Sequence, residues 1–159
     1  MPRWSVVFFF LAALTGCEDS AVFHRYDSIG NSWHKDTMVR FQFDPKDTLA
    51  AHDLFITIRN DNEYGYNNLF LITEMQFPNG RTVTDTLEYE MAAADGTWLG
   101  TGFGAIKENK LWYKVGVVFN EAGTYTFKIK QAMRHNTVID PITELEGILD
   151  VGLRAEKTE

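Results

Sequence analysis

The chain reads as all-β, an antiparallel two-layer β-sandwich of the jelly-roll kind with about seven to eight strands. Three observations predict this. Short segments alternate apolar and polar side chains with period two, turn signals separate them, and helical periodicity is nearly absent. Alternation of this sort suits antiparallel sheets with one buried face, and this many strands closes best as two packed layers.

The first element is not part of that fold. Arg3, the apolar block Trp4 to Leu14 and the ending Leu14-Thr15-Gly16-Cys17 form a secretory signal segment over residues 1–16. The apolar block holds eleven residues, whereas a bilayer-spanning helix needs roughly 20. Small residues directly before the sole cysteine make a bacterial lipobox, so Cys17 is expected to become the acylated first residue of the mature chain. One acyl chain anchors only marginally, so stable attachment takes at least two, and lipoprotein maturation supplies them on that one residue. Residues 17–21 then form a short acidic tether, and residues 22–159 a single domain of about 140 residues. A chain of this size buries enough surface to hold a core without disulfides.

The strands follow in order. Val22 to Tyr26 is a candidate first strand. Met38 to Phe43 places Val39, Phe41 and Phe43 on one face, and Asp53 to Arg59 does the same with Leu54, Ile56 and Ile58. Leu69 to Phe77 and Arg81 to Met91 flank Pro78-Asn79-Gly80, a hairpin signal because Asn-Gly supplies the positive φ a tight turn needs. In the second arm Val83, Leu87 and Tyr89 point inward. Leu111 to Phe119 buries Leu111, Tyr113, Val115 and Val117, which leaves Trp112 and Lys114 on the opposite face. Thr124 to Met133 alternates through Tyr125, Phe127 and Ile129. Asp140-Pro141 predicts a short helical turn over residues 141–146 that stops at Gly147. Ile148 to Lys157 is the last strand, with Leu149, Val151, Leu153 and Ala155 on its buried side.

Charge narrows the function. The precursor carries a net charge of −7, and loss of Arg3 with the signal segment takes it to −8. Such a surface repels phosphate, so no nucleic-acid partner is expected. No metal site is expected either: His24, His34, His52 and His135 fall at no ligand spacing, and Asn60 to Gly65 misses the calcium-loop frame. Serines lack a nucleophile elbow, and Glu88 and Glu90 share one strand face, so no catalytic residue is assigned. No cofactor beyond the lipid on Cys17 and no small-molecule ligand is expected.

The segment Asp95 to Gly104 packs four glycines around Trp98, Leu99 and Phe103. One reading makes Trp98 a plug over one end of the sandwich. The other makes Trp98, Leu99 and Phe103, with Trp112, a candidate interaction surface, since aromatic side chains on loops dominate contact energetics.

Several motifs together resemble the gliding-motility lipoprotein GldH family of the Bacteroidota. They are Asn31-Ser32-Trp33, Phe77-Pro78-Asn79-Gly80, Asp95-Gly96-Thr97-Trp98-Leu99-Gly100 with Gly102, Gly123-Thr124-Tyr125-Thr126, and Gly147-Ile148 followed by Asp150-Val151-Gly152-Leu153. The resemblance extends from about Tyr26 to Lys157, behind a lipobox. It implies a non-enzymatic accessory envelope lipoprotein of gliding motility and the type IX secretion machinery, with other components of that machinery as partners. The expected location is the outer membrane, facing the periplasm. The alternative is an envelope lipoprotein that binds carbohydrate through Trp98 and Trp112.

Replacing Cys17 with Ala is expected to release the protein from membranes or to leave an uncleaved precursor. Membrane fractionation and the size of the product check this. A Cys17→Ala protein that is processed normally and stays as tightly bound as wild type refutes acylation.

Overall fold

The computed structural model describes residues 20–135 and 139–158, so the signal segment and Cys17 lie outside the described residues. Among the described residues, ten strands run in chain order: β1 Ala21–Ser28, β2 Ser32–His34, β3 Val39–Phe43, β4 Ala51–Asn60, β5 Asn68–Gln76, β6 Thr82–Glu90, β7 Lys107–Val118, β8 Tyr125–Gln131, β9 Glu144–Glu146 and β10 Ile148–Lys157. They form one sheet in the order β1-β10-β4-β7, a second in the order β3-β8-β5-β6, and a small pair, β2-β9. The expected all-β sandwich is present, with ten strands where seven to eight were expected.

The pairing is nested. The strand β5 pairs with β6, β4 with β7, β3 with β8 and β1 with β10, all antiparallel. One long hairpin has therefore been rolled into two layers, which is the jelly roll. At its tip, Asn68↔Glu90 to Gln76↔Thr82 pair without a slip. The turn there forms as the sequence predicts: Gly80 has φ +87° and the Phe77 amide donates to the Arg81 carbonyl at 2.8 Å.

Period-two alternation carries directly into burial along β3 and β8. Val39, Phe41 and Phe43 meet Tyr125, Phe127 and Ile129 in the core, while Arg40 and Gln42 face water. The same core takes Leu54, Ile56 and Ile58 from β4 and Val151, Leu153 and Ala155 from β10. The strand β4 is exceptional because Phe55 and Thr57, on its outer face, are buried too. The Trp112 ring lies 4.3 Å from Phe55, and the Lys110 ammonium sits 4.1 Å above the same ring.

Three sequence expectations are corrected. The segment 141–146 is not helical. Ile142 and Leu145 are both buried, and their three-residue spacing mimics a helix, but β9 instead pairs Leu145 with Trp33 of β2. Pairing that buries Trp33 outweighs local propensity here. Gln131 holds the arrangement from below, its side-chain amide donating to the Ile142 carbonyl at 2.8 Å. Val115 is exposed rather than buried because β7 makes two register shifts opposite His52–Phe55. Each extra residue there reverses the facing of those beyond it, and Gly116 takes φ +64° in the bulge. Leu149 is only half-buried for a similar reason, since β10 shifts register between Ile148 and Asp150 and gives the core position to Ile148.

Among the described glycines, Gly147 makes the closest approach to a neighbouring segment. It has φ +80°, and a Cβ there would lie 2.1 Å from the Tyr64 amide nitrogen. Gly80 has a similar φ with open space around it. Gly80→Ala is therefore expected to cost about 1–2 kcal/mol, the penalty of a left-handed backbone. Gly147→Ala should cost about 2–5 kcal/mol, because overpacking adds to the same penalty. Chemical denaturation of both variants checks this, and equal losses refute the close approach.

Candidate interaction site at one end of the sandwich

Strand direction sorts the loops into two ends. The start of β1, residues 44–50, the 77–81 hairpin, residues 119–124 and the end of β10 lie at one end. The connections 29–38, 61–67 and 91–106, with residues 132–135 and 139–147, lie at the other, which we call distal because it is farthest from the start of β1. The glycine-rich segment is thus distal.

That segment is built from two pinned turns. In the first, the Ala93 amide donates to the Thr97 carbonyl at 2.8 Å, and the Asp95 carboxylate accepts from the Thr97 amide at 3.0 Å. Hydrogen bonds from the Thr97 amide and then the Thr97 hydroxyl hold the Asp95 carboxyl below the usual carboxylate range. In the second, Thr101 and Glu108 exchange backbone hydrogen bonds of 2.8 and 2.7 Å. The Lys107 ammonium donates to the Gly102 carbonyl at 2.7 Å and closes the tip. Two glycines are required by contact. A Cβ at Gly102 would meet the Ile106 carbonyl at 2.7 Å, and one at Gly100 would meet Asn109 Oδ1 at the same distance. Asn109 itself is buried, donating to Asn60 Oδ1 at 2.9 Å and to the Ile58 carbonyl at 3.2 Å.

The predicted residues separate within this frame. Trp98 is half-buried and packs on the core. Its ring lies 6.2 Å from that of Tyr64, and its indole N–H donates to Asn62 Oδ1 at 3.4 Å. Tyr64 in turn donates to the Asn68 carbonyl at 2.6 Å, and burial pushes its phenol well above the ordinary range. Leu99 is 53% exposed, and Phe103, at the tip, is fully exposed. Ile106 joins them as a third exposed apolar side chain. Sequence reading passed over Ile106, although an apolar residue in a glycine-rich turn was a usable signal.

Trp112 is not part of this group. It stands on the outer face of β7, 56% exposed, against Phe55. Its carbonyl accepts a 2.6 Å hydrogen bond from Tyr89 of β6, whose pKa is pushed up to about 12 by burial and the nearby Asp85 charge. Trp98 and Trp112 thus rest on different rings. Tyr66 does share a cleft with Tyr64 and Trp98, but the rings are inclined by 39° and 62° rather than coplanar.

The remaining candidates fall into local structure. His34 lies 3.8 Å from Asp36 and 4.0 Å from Glu144, and His52 is buried against Phe119. Asp61 caps the 61–64 turn, its carboxylate accepting from the Glu63 amide at 2.9 Å. Among the described residues, no three His, Cys, Asp or Glu side chains converge as a metal would need.

A curated relative from Christiangramia forsetii, named gliding motility lipoprotein GldH homolog, is 51% identical over 97% of this chain and 94% of its own length. One from Flavobacterium johnsoniae, named gliding motility lipoprotein GldH, is 46% identical over 92% of this chain and 91% of its own. Among solved structures, the infectious bursal disease virus VP2 subviral particle aligns with 97% of this chain and 36% of its own. At a TM-score of 0.37 and 11% identity, it is too distant to inform function. Residues 21–155 match the GldH lipoprotein family, a span that covers all the strands but the last two residues of β10. The chain belongs to the GldH lipoprotein family.

Proposed function

We propose that this protein is a lipid-anchored, non-enzymatic component of gliding motility and of the type IX secretion machinery, held on the periplasmic face of the outer membrane. It acts by binding another protein of that machinery through the distal segment. The names of the relatives support the motility reading, and the lipobox ending at Cys17 supports the anchor. One observation carries the binding reading: Leu99, Phe103 and Ile106 are exposed together on a segment that backbone hydrogen bonds hold in place. A loop already ordered loses little entropy when a partner closes over it. The anchor adds to this by confining the domain near partners on the same membrane, which raises their effective concentration.

The inclined rings of Trp98, Tyr64 and Tyr66 suit an apolar side chain better than a sugar face, which stacks best on a flat platform. Protein is accordingly preferred to carbohydrate as the partner.

Two substitutions separate holding the loop from using it. Trp98→Ala should cost up to about 3 kcal/mol, the upper range for fully burying a large apolar side chain, because Trp98 is only partly covered. Phe103→Asp should leave the melting temperature unchanged, keep the protein in membranes, and reduce capture of envelope proteins at least about tenfold, as loss of a contact centre does. Thermal melts, quantitative mass spectrometry of pull-downs and gliding assays read these outcomes. Unchanged capture and gliding in Phe103→Asp refutes the distal segment as the binding site.

A further inference from the structure

The end of the sandwich opposite the binding segment carries its own apolar rim. We propose that this rim rests on the lipid bilayer, with Leu49 entering the boundary between headgroups and acyl chains, so that the domain stands upright on its anchor. The proposal rests on the reading of Cys17 as the acylated residue and adds a second point of attachment to it.

The reach of the chain supplies the first argument. Cys17 precedes Ala21, the first residue of β1, by four positions. Four extended residues span at most about 14 Å, so acyl chains buried in the bilayer hold the start of β1 close to the surface.

The second argument is what the sheet places beside that start. Strands in a sheet lie about 4.8 Å apart. In the order β1-β10-β4-β7, the beginning of β4 is two spacings from β1 and the end of β7 is three. Val22 of β1, Leu49 just before β4, and Val115 and Val118 of β7 are all exposed along this edge. Single exposed apolar side chains are ordinary, but here four share one rim with the anchored terminus. Leu49 is the most prominent, at 88% exposed.

Leu49 is also held in position. The Asp47 carboxylate accepts from the amides of Leu49 and Ala50 at 3.0 and 3.1 Å. Behind the loop, the Thr158 amide donates to the Ala51 carbonyl at 3.0 Å, which ties the loop to the end of β10. Charge beside the rim is nearly balanced: Arg25, Lys46 and Lys157 line the adjoining cleft together with Asp44 and Asp47. Contact therefore depends on apolar insertion rather than on attraction to anionic lipid, and salt should change it little.

An upright domain has a defined height. The ten residues of β4 rise about 30 Å from this rim to the distal end. Phe103 then faces away from the lipid, where a protein partner can reach it.

The test uses the acylated full-length protein in vesicles of phosphatidylethanolamine and phosphatidylglycerol. The only native thiol carries the lipid, so Leu49→Cys or Phe103→Cys provides a unique site for a fluorophore, and both positions are exposed enough to leave the fold intact. Docking predicts that the label at 49 is quenched by lipids with a shallow nitroxide and is at least about twofold less accessible to aqueous iodide than the label at 103. It also predicts the same contrast at low and high salt. Equal iodide access at the two positions, in protein that floats with the vesicles, overturns docking and leaves the anchor standing. Failure to float overturns both the anchor and the docking.

Discussion

The pairing of β1 with β10 sets the geometry on which everything else depends. Seven residue pairs, from Ala21↔Glu156 to Ser28↔Asp150, join the two ends of the chain in one ladder. The register places the start of β1 at one end of the sandwich, and the nested pairs inside it send residues 91–106 to the other. It is also the most expensive contact in chain entropy, because it closes nearly the whole sequence, whereas β5-β6 closes only a tight turn. A roll of this kind is dominated by non-local contacts, and such folds form slowly. The β5-β6 hairpin is the one pairing that local sequence alone can bring together.

A two-layer roll leaves four edge strands, and this protein manages them as two seams. On one side, Tyr89 and Asp85 of β6 reach across to β7, where Lys114 meets Asp85 at 2.8 Å and Tyr113 donates to the same carboxylate at 3.2 Å. On the other, Phe23 of β1 packs 5.2 Å from Phe43 of β3. The outer face of the first sheet is sealed differently. Arg59 bonds Glu108 at 3.0 Å and lies over the Tyr26 ring, while Lys110 bridges to Glu156 at 2.7 Å. Exposed ion pairs contribute little to stability on their own. Their effect here is to cover Phe55 and Tyr26, and charged side chains with long apolar stems do this without offering a sticky surface.

Much of this fold was legible because burial follows period two wherever a strand is regular. The strands β3, β5, β6 and β8 came straight from alternation, and the β5-β6 turn from Asn79-Gly80. The pattern fails where the backbone departs from regularity. Two bulges in β7 reversed Val115, one in β10 displaced Leu149, and the spacing of Ile142 and Leu145 imitated a helix. None of these has a local signal, because each is decided by the strand opposite. At the candidate site, the glycines marked the segment as unusual, but whether Trp98 was covered depended on Tyr64 and Asn62, about 35 residues earlier in the chain. Strand order was likewise invisible, since alternation records a face and not a neighbour.

The two ends of the sandwich differ in how their apolar side chains are held, and that difference bears on how the protein works. At the distal end, paired backbone hydrogen bonds, a lysine clasp and a buried asparagine fix a segment whose most exposed residue is a phenylalanine. Leaving such a ring in water forgoes about 1.5–3 kcal/mol that burial would provide. The fold spends rigidity on a side chain that contributes nothing to its own core. A flexible loop could fold the same ring back onto the sheet and hide it. Here Gly100 and Gly102 pack directly against Asn109 and Ile106, which fixes the base of the tip. The ring stands fully exposed on this held base, and a partner that covers it gains apolar burial with little ordering of the segment.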